Sequence, residues 1–373
     1  MSSATTLKPL KILHITGAMN CGGTETMLMN IFRNVDRKQV QFDFVSFSKE
    51  DAYYDKEIRE LGGTVIKLSN NQSVKELVRI MKEYGPYDAV HSHTLFHCGI
   101  ANSAAMLAGI HKRIAHAHTT LDDSESISRK LYIRGMRSLT SAVSTHLLAC
   151  SNEAGRYLFG PRQLKKRRFS YFPNLIDYSS FLEDHQKEVS LLKEELGLKN
   201  VKVIGHIGRF IAPKNHSYLL KIFKEVLKKE DDFKLLLVGD GDLRSITEAE
   251  VKKEGLEDKV IFTGIRKDID ILLKCMDIFV FPSVYEGLGL VLLEAQASGL
   301  PCVVSEAVQP EADIEVGLVT KLSLEQKPEE WAEEVLSNVC KKETDKKRII
   351  KAFENKGYSM SGGISSIISI YRE

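Results

Sequence analysis

The chain has 373 residues, 43% of them hydrophobic and 27% charged, with a formal net charge of +2. That length exceeds one ordinary core and suits two domains, the composition excludes bulk disorder, and the small net charge gives no reason to expect a nucleic-acid partner. Six scattered cysteines without a C-x-x-C pair argue against a zinc ribbon or disulfide framework, and the lack of a signal-peptide core or span-length apolar run predicts a cytoplasmic protein, soluble or lying on a membrane.

Lys11 to Thr16 reads as a short, mostly apolar strand. Gly17 and the pair Gly22-Gly23 follow, then Thr24 as the expected N-cap of a helix carrying Met27, Leu28 and Ile31. Strand, glycine loop and helix begin a βα unit, and ligands sit at such carboxyl strand ends. The glycines do not make G-x-G-x-x-G, so no dinucleotide fingerprint is present. Short β-rich runs recur at Gln41 to Ser46, Thr64 to Leu68, Asp88 to Ser92, Arg113 to His116, His146 to Cys150 and Arg168 to Phe172. Helical patterns such as Val74 to Tyr84 and Gly99 to Ala108 separate most of them. This alternation predicts an α/β fold, a parallel sheet with helices on both faces.

Histidines gather at the strand ends: His91, His93, His97, His116 and His118. Two H-x-H patterns put paired imidazoles on one side of a strand, but no carboxylate or cysteine stands at ligand spacing, so no metal site is expected. Sugar hydroxyls suit neutral imidazoles at a strand end; His93 could line an acceptor or serve structure alone. Ser124 to His146 combines Arg129, Lys130, Arg134 and Arg137 with Ile127, Leu131, Ile133, Met136 and Leu139, and Lys165-Lys166-Arg167-Arg168 follows. A basic amphipathic helix is either a solvated face or a surface for an anionic membrane. Pro173-Asn174 suits a linker, and the domain change is placed just beyond it.

In the second half, Lys202 to Ile207 is a strand, Gly208-Arg209-Phe210 a turn, and Leu219, Leu220 and Phe223 mark the next helix. Arg209 and Lys214 can converge on one diphosphate, Arg as a fork and Lys as a point charge. Leu235 to Val238 runs into Gly239-Asp240-Gly241-Asp242, which has the form of a D-x-D metal motif. Val260 to Phe262 leads to Thr263-Gly264-Ile265-Arg266, and Ile278 to Phe281 leads to Pro282-Ser283-Val284-Tyr285. Glu286 and Glu294 then flank Gly287, Leu288, Gly289 and Leu290. Glycines there let a ligand approach the backbone, and the following helix N-terminus can hold a phosphate. Carboxylates on either side can bind hydroxyls. Hydroxyls, phosphate and hydroxyls in sequence describe a nucleotide-sugar.

This E-x7-E stretch resembles the signature of retaining glycosyltransferases with two Rossmann-like domains, the GT4 family of GT-B fold. Further markers run along almost the whole chain: the Gly22-Gly23 loop, Ile114 to Thr119, Ala149 to Glu153, Pro173-Asn174, Gly208-Arg209, Val238-Gly239, and Ala295-x-Ala-x-Gly-x-Pro. Leu175 replaces the usual glycine of Pro-Asn-Gly, and Glu306 to Asp313 replaces a Gly-rich donor-side segment. Trp331 in Pro-x-x-Trp-Ala looks closest to exopolysaccharide and capsule enzymes.

The resemblance implies two Rossmann-like domains with parallel sheets facing a cleft. The acceptor domain is expected at 1–178 with a returning helix at about 358–373, and the donor domain at 179–357. The donor would be UDP-hexose or UDP-N-acetylhexosamine, the acceptor a saccharide or lipid-linked saccharide, and no cofactor or metal would be needed; Val-Gly-x-Gly then explains the D-x-D form. Arg209 and Lys214 would hold the diphosphate, Glu294 the ribose, Glu286 the sugar, and Gly287 to Leu290 the phosphate through backbone amides. Gly22, Gly23 and Gly239 would line the donor, Arg266 would cover the base, and His118 would reach the sugar, with His116 the competing choice. Lipid-linked acceptors would give the basic helix a membrane to face. The same architecture also fits an epimerase, a phosphorylase or a catalytically idle nucleotide-sugar-binding partner.

Overall fold

A computed structural model describes residues 8–20, 22–68, 73–119 and 126–373. Contacts divide the chain into two compact units, Met1–Ile176 with Gly357–Glu373, and Asp177–Lys356. The expected α/β fold is present in both: each unit is a parallel sheet flanked by helices.

The first sheet contains β1 (Leu10–Ile15), β2 (Val40–Ser46), β3 (Val65–Lys67), β4 (Ala89–Ser92), β5 (Lys112–Ala117), β6 (His146–Ala149) and β7 (Phe169–Tyr171). Their order is β3-β2-β1-β4-β5-β6-β7, all parallel. The order therefore reverses between β1 and β4, the position where such sheets bind ligands. Side chains alternate between two covered faces. Leu13 and Ile15 face a core with Leu77, Ile80, Ala101 and Ala104 from the helices Val74–Glu83 and Cys98–Leu107. His14, on the opposite face, lies among Phe42, Phe44 and His91.

The last helix, Met360–Arg372, falls in this first unit. Tyr371 Oη lies 2.8 Å from His91 Nδ1, Arg372 donates to Gln39 at 3.3 Å, and a side chain at Gly363 would strike Leu175.

The second sheet contains β8 (Lys202–Ile207), β9 (Phe233–Val238), β10 (Val260–Gly264), β11 (Ile278–Phe281), β12 (Cys302–Ser305) and β13 (Val319–Leu322). Their order is β10-β9-β8-β11-β12-β13, again parallel, with the reversal between β8 and β11. Ile204, Leu235, Leu237, Ile278, Val280 and Val303 pack on the helices His216–Lys229 and Pro328–Asn338. Trp331 is 0% exposed in that core, and its Nε1 donates to the Ser323 carbonyl at 3.1 Å.

Two local expectations shift. The first helix begins at Gly23, with Gly22 rather than Thr24 as N-cap. Gly22 is extended, and Glu25 folds back over it into the space a β-carbon would need, so the cap is glycine backed by the acidic residue three positions on. The basic helix runs Ile127–Val143, capped by Ser126 Oγ accepting from the Arg129 amide at 3.1 Å. The earlier part of the expected segment, 124–125, and Cys21 lie outside the described residues. Among the described residues no helix is long and apolar enough to cross a membrane.

Candidate functional site

In the second unit, the reversal of strand order puts the loops after β8 and β11 side by side. After β8 the chain makes the 3-10 turn Ala212–Lys214 and passes Asn215 in the left-handed region, φ 57°. Asn215 Nδ2 donates to the Pro282 carbonyl at 3.1 Å, and the Val284 amide donates to the Pro213 carbonyl at 2.8 Å. These bonds lock the two loops together. Lys214 Nζ then meets Glu286 Oε1 at 2.6 Å, with only 16% and 11% of the two side chains exposed. The same ammonium sits 4.4 Å from the Phe281 ring centre. Arg209, by contrast, is exposed and its guanidinium has no side-chain partner among the described residues.

Glycine is required at Gly239. Its φ is +133°, and a β-carbon would collide with the Gly208 carbonyl, so the loop after β9 closes against the Arg209 turn only with hydrogen there. Asp240 Oδ1 accepts from the Gly241 amide at 2.7 Å, and Arg244 pairs with its other oxygen at 3.4 Å. Arg266 is bound through two nitrogens to Asp268, at 2.9 and 2.5 Å.

Gly289 adopts the left-handed conformation, φ 85° and ψ 61°, and the helix Leu290–Ala297 starts from it. Leu288 and Leu290 are buried beside it. Glu294 lies on the second turn, and its carboxyl has no hydrogen-bond or ion-pair partner among the described residues. Part of its surface is accessible, yet enough protein surrounds the carboxyl that burial, helped by the charge of Asp270, pushes its pKa up to about 7. Hydroxyls donating to that carboxyl would favour its charged form.

Three residues of this site carried no readable signal. Gln309, in the divergent segment, donates to the Glu286 carbonyl at 3.5 Å. Beneath the β8 loop, His206 gives Nδ1 to the Val280 carbonyl at 2.9 Å, and the His216 ring stacks on Phe210 with centroids 4.1 Å apart. Burial drives both imidazoles toward the neutral form, His216 to about 4.

In the first unit, the β1–β4 register sets His14 beside His91. His93 and His118 continue the same faces just past the ends of β4 and β5, and His116 completes a row of five rings. His14 Nδ1 meets His93 Nε2 at 3.1 Å, and His93 Nδ1 meets His118 Nε2 at 2.9 Å. His91 Nε2 meets His116 Nδ1 at 3.2 Å. Burial pushes His14 down to about 3 and His118 to about 4, with Asn174 pulling the latter up; His91, His93 and His116 fall well below the usual histidine range for the same reason. His116 is fully buried, whereas His118 is half-buried. His97 stands apart on the turn Leu95–His97. Gly22 and Gly23 lie at the carboxyl side of β1, at the start of the helix Gly23–Asn34.

Comparison with known proteins agrees with this architecture. Residues 21–180 match the model described as Glycosyltransferase Family 4, and residues 201–339 the model described as Glycosyl transferases group 1. The putative glycosyltransferase EpsF of Bacillus subtilis is 36% identical over 97% of this chain and 96% of its own. An Escherichia coli relative named UDP-Gal:alpha-D-GlcNAc-diphosphoundecaprenol alpha-1,3-galactosyltransferase is 27% identical over 81% of this chain and 80% of its own. Anabaena Alr3699/HepE, solved with UDP and glucose, superposes with a TM-score of 0.78 at 19% identity over 96% of this chain and 98% of its own.

Proposed function

The chain belongs to glycosyltransferase family 4, and from that membership we propose a retaining, metal-independent transfer of a hexose or N-acetylhexosamine from a UDP-sugar. The observation that carries this reading is the 2.6 Å meeting of Lys214 and Glu286 where the second sheet reverses its order. On this reading the pair joins a phosphate-binding cation to a hydroxyl-binding carboxylate, which supports adjoining diphosphate and sugar subsites.

Arg209 and Lys214 take the diphosphate. As it enters, it competes with Glu286 for Lys214, and Glu286 turns to the sugar hydroxyls. Glu294 accepts from the ribose, and the amides from Gly287 to Leu290 receive phosphate oxygens. His118 is assigned to the sugar hydroxyls. The acceptor oxygen bonds to the anomeric carbon on the face that the nucleotide leaves, and the departing phosphate oxygen takes the acceptor proton. Configuration is thereby retained without an enzymic nucleophile. Charge building on the leaving diphosphate is stabilised by the two cations, a contribution of about 3–4 kcal/mol for each well-placed donor.

The acceptor is a saccharide or lipid-linked saccharide in cell-surface polysaccharide synthesis, in keeping with the lipid diphosphate in the name of the E. coli relative. Ile127 and Leu131, 78% and 66% exposed beside Arg129, Lys130 and Arg134, supply the surface that meets an anionic membrane.

Calorimetric titration with UDP, GDP and ADP tests the donor assignment. UDP is expected to bind in the micromolar range and Arg209→Ala to lose that binding. Failure of every nucleotide to bind overturns the reading.

A further inference from the structure

The five clustered histidines are joined by ring-to-ring hydrogen bonds. His116 Nδ1 is engaged by His91, which is held from behind by the Tyr371 hydroxyl at 2.8 Å. His93 Nε2 is engaged by His14 at 3.1 Å. His118 Nδ1 lies by Asn174, and that nitrogen and Asn174 Oδ1 are buried complementary atoms, neither completing a hydrogen bond. Each of the three rings His93, His116 and His118 thus has an outer nitrogen backed by a polar neighbour. The inward nitrogens are His93 Nδ1 and His118 Nε2, which hydrogen-bond each other at 2.9 Å and would exchange that bond for an ion, and His116 Nε2. His116 Nε2 is buried and has no hydrogen-bond partner, although the Phe172 backbone lies near the ring. One ring nitrogen from each of the three lies within 4.8 Å of the others.

We propose that His93, His116 and His118 form a binding site for a divalent late transition-metal ion of the zinc class. H-x-H pairs in the sequence lacked a third ligand; the register of β4 against β5 supplies it, because His91 pairs with Ile114 and so brings His93 alongside His116. Neutral imidazole is the ligand these ions favour, and no carboxylate joins the set, which excludes calcium and magnesium. Zinc–nitrogen bonds of about 2.0–2.1 Å put tetrahedral ligand atoms about 3.3 Å apart, so small ring rotations bring the three nitrogens into place. Solvent takes the fourth position, reached past the half-buried His93 and His118.

Proton placement balances. Each imidazole keeps one proton on its outer nitrogen: His93 Nε2–H faces His14, His116 Nδ1–H donates to His91, and His118 Nδ1–H turns to Asn174 Oδ1. Binding shifts tautomers without net proton loss. His14, His91 and Asn174 are then the outer shell that orients the ligands, with Tyr371 behind His91. On the reading that His118 reaches the donor sugar, an ion here withdraws that ring, so zinc inhibits transfer and takes no part in it.

Tag-free protein titrated with Zn²⁺ against a chromophoric chelator tests the site, with Co²⁺ absorption reporting the ligand field in the wild type. One equivalent is expected to bind. His93→Phe and His116→Phe, which keep the ring stack, should abolish uptake, while His91→Phe weakens it about 10- to 100-fold. Circular dichroism establishes that the variants are folded. The proposal is overturned if wild-type protein takes up neither ion, or if both ligand variants bind as the wild type does. Zinc that binds stoichiometrically yet leaves transfer untouched upholds the site and removes the role assigned to His118.

Discussion

If Glu294 binds the donor ribose, as proposed, donor binding is pH-dependent in a direction set by the surroundings of its carboxyl. Burial and Asp270 hold its carboxyl at about 7 in the free protein. Ribose hydroxyls donate to a carboxylate, so a bound donor lowers that value. Below pH 7 the donor must first expel a proton. With a bound-state pKa of about 5 or lower, the penalty factor is close to 1 + 10^(7−pH), roughly 11 at pH 6 and roughly 1.1 at pH 8. Affinity for UDP-glucose should therefore rise about tenfold, or about 1.4 kcal/mol, between those values. UDP-glucose is the right probe because its diphosphate is esterified at both ends and does not itself titrate there. Glu294→Gln should bind more weakly at pH 8 by about 1.5–3 kcal/mol and lose the slope. The free protein should show the opposite trend in stability. Its folded carboxyl is raised above the ordinary value of 4.5, so this group's contribution is fully present below that value and is lost as pH rises through about 7. Calorimetric affinity that is flat from pH 6 to 8, or that tightens toward acid, would refute the ribose assignment.

Glu286→Ala should abolish transfer but spare UDP binding, because Lys214 is released from its ion pair to the diphosphate; unchanged turnover in a product assay removes the carboxylate's role. Gly239→Ala places a β-carbon against the Gly208 carbonyl at φ +133° and should cost about 1–3 kcal/mol, seen as a lower melting temperature with weaker UDP binding. Trp331→Ala empties a fully buried site and removes the bond to Ser323; urea unfolding should show a loss of about 3–5 kcal/mol.

Strand positions were legible because buried parallel strands are short apolar runs, and the β1 run expected from Lys11 is observed from Leu10. The two-sheet architecture followed from the family resemblance. Helix starts were less legible: Thr24 is the better capping residue by type, but Gly22 with Glu25 folded over it wins. The Lys214–Glu286 bond could not be read at all, since it joins positions 72 apart and depends on β8 lying against β11. His14 was passed over for the same reason. A lone histidine in an apolar strand reads as core; its partner His93 is 79 positions away.

The two sheets reverse order in the same way yet hold different chemistry there, and burial explains why. The polar groups of the first sheet sit largely on the strands and just past their ends, packed under helices, where desolvation leaves imidazoles neutral. Such rings can exchange hydrogen bonds or take a soft cation, but they cannot balance a diphosphate. The second sheet has a mostly apolar strand core, His206 being its one buried imidazole on a strand among the described residues, and carries Arg209, Lys214 and Glu286 on the loops beyond, where solvent still reaches. Charge survives there at modest cost. On the proposed function, a diphosphate leaving group is therefore expected at the loops of the second unit. Moving a cation from loop to strand, as in Ile207→Lys with Lys214→Ala, should lower the pKa of the new amine and fail to restore transfer.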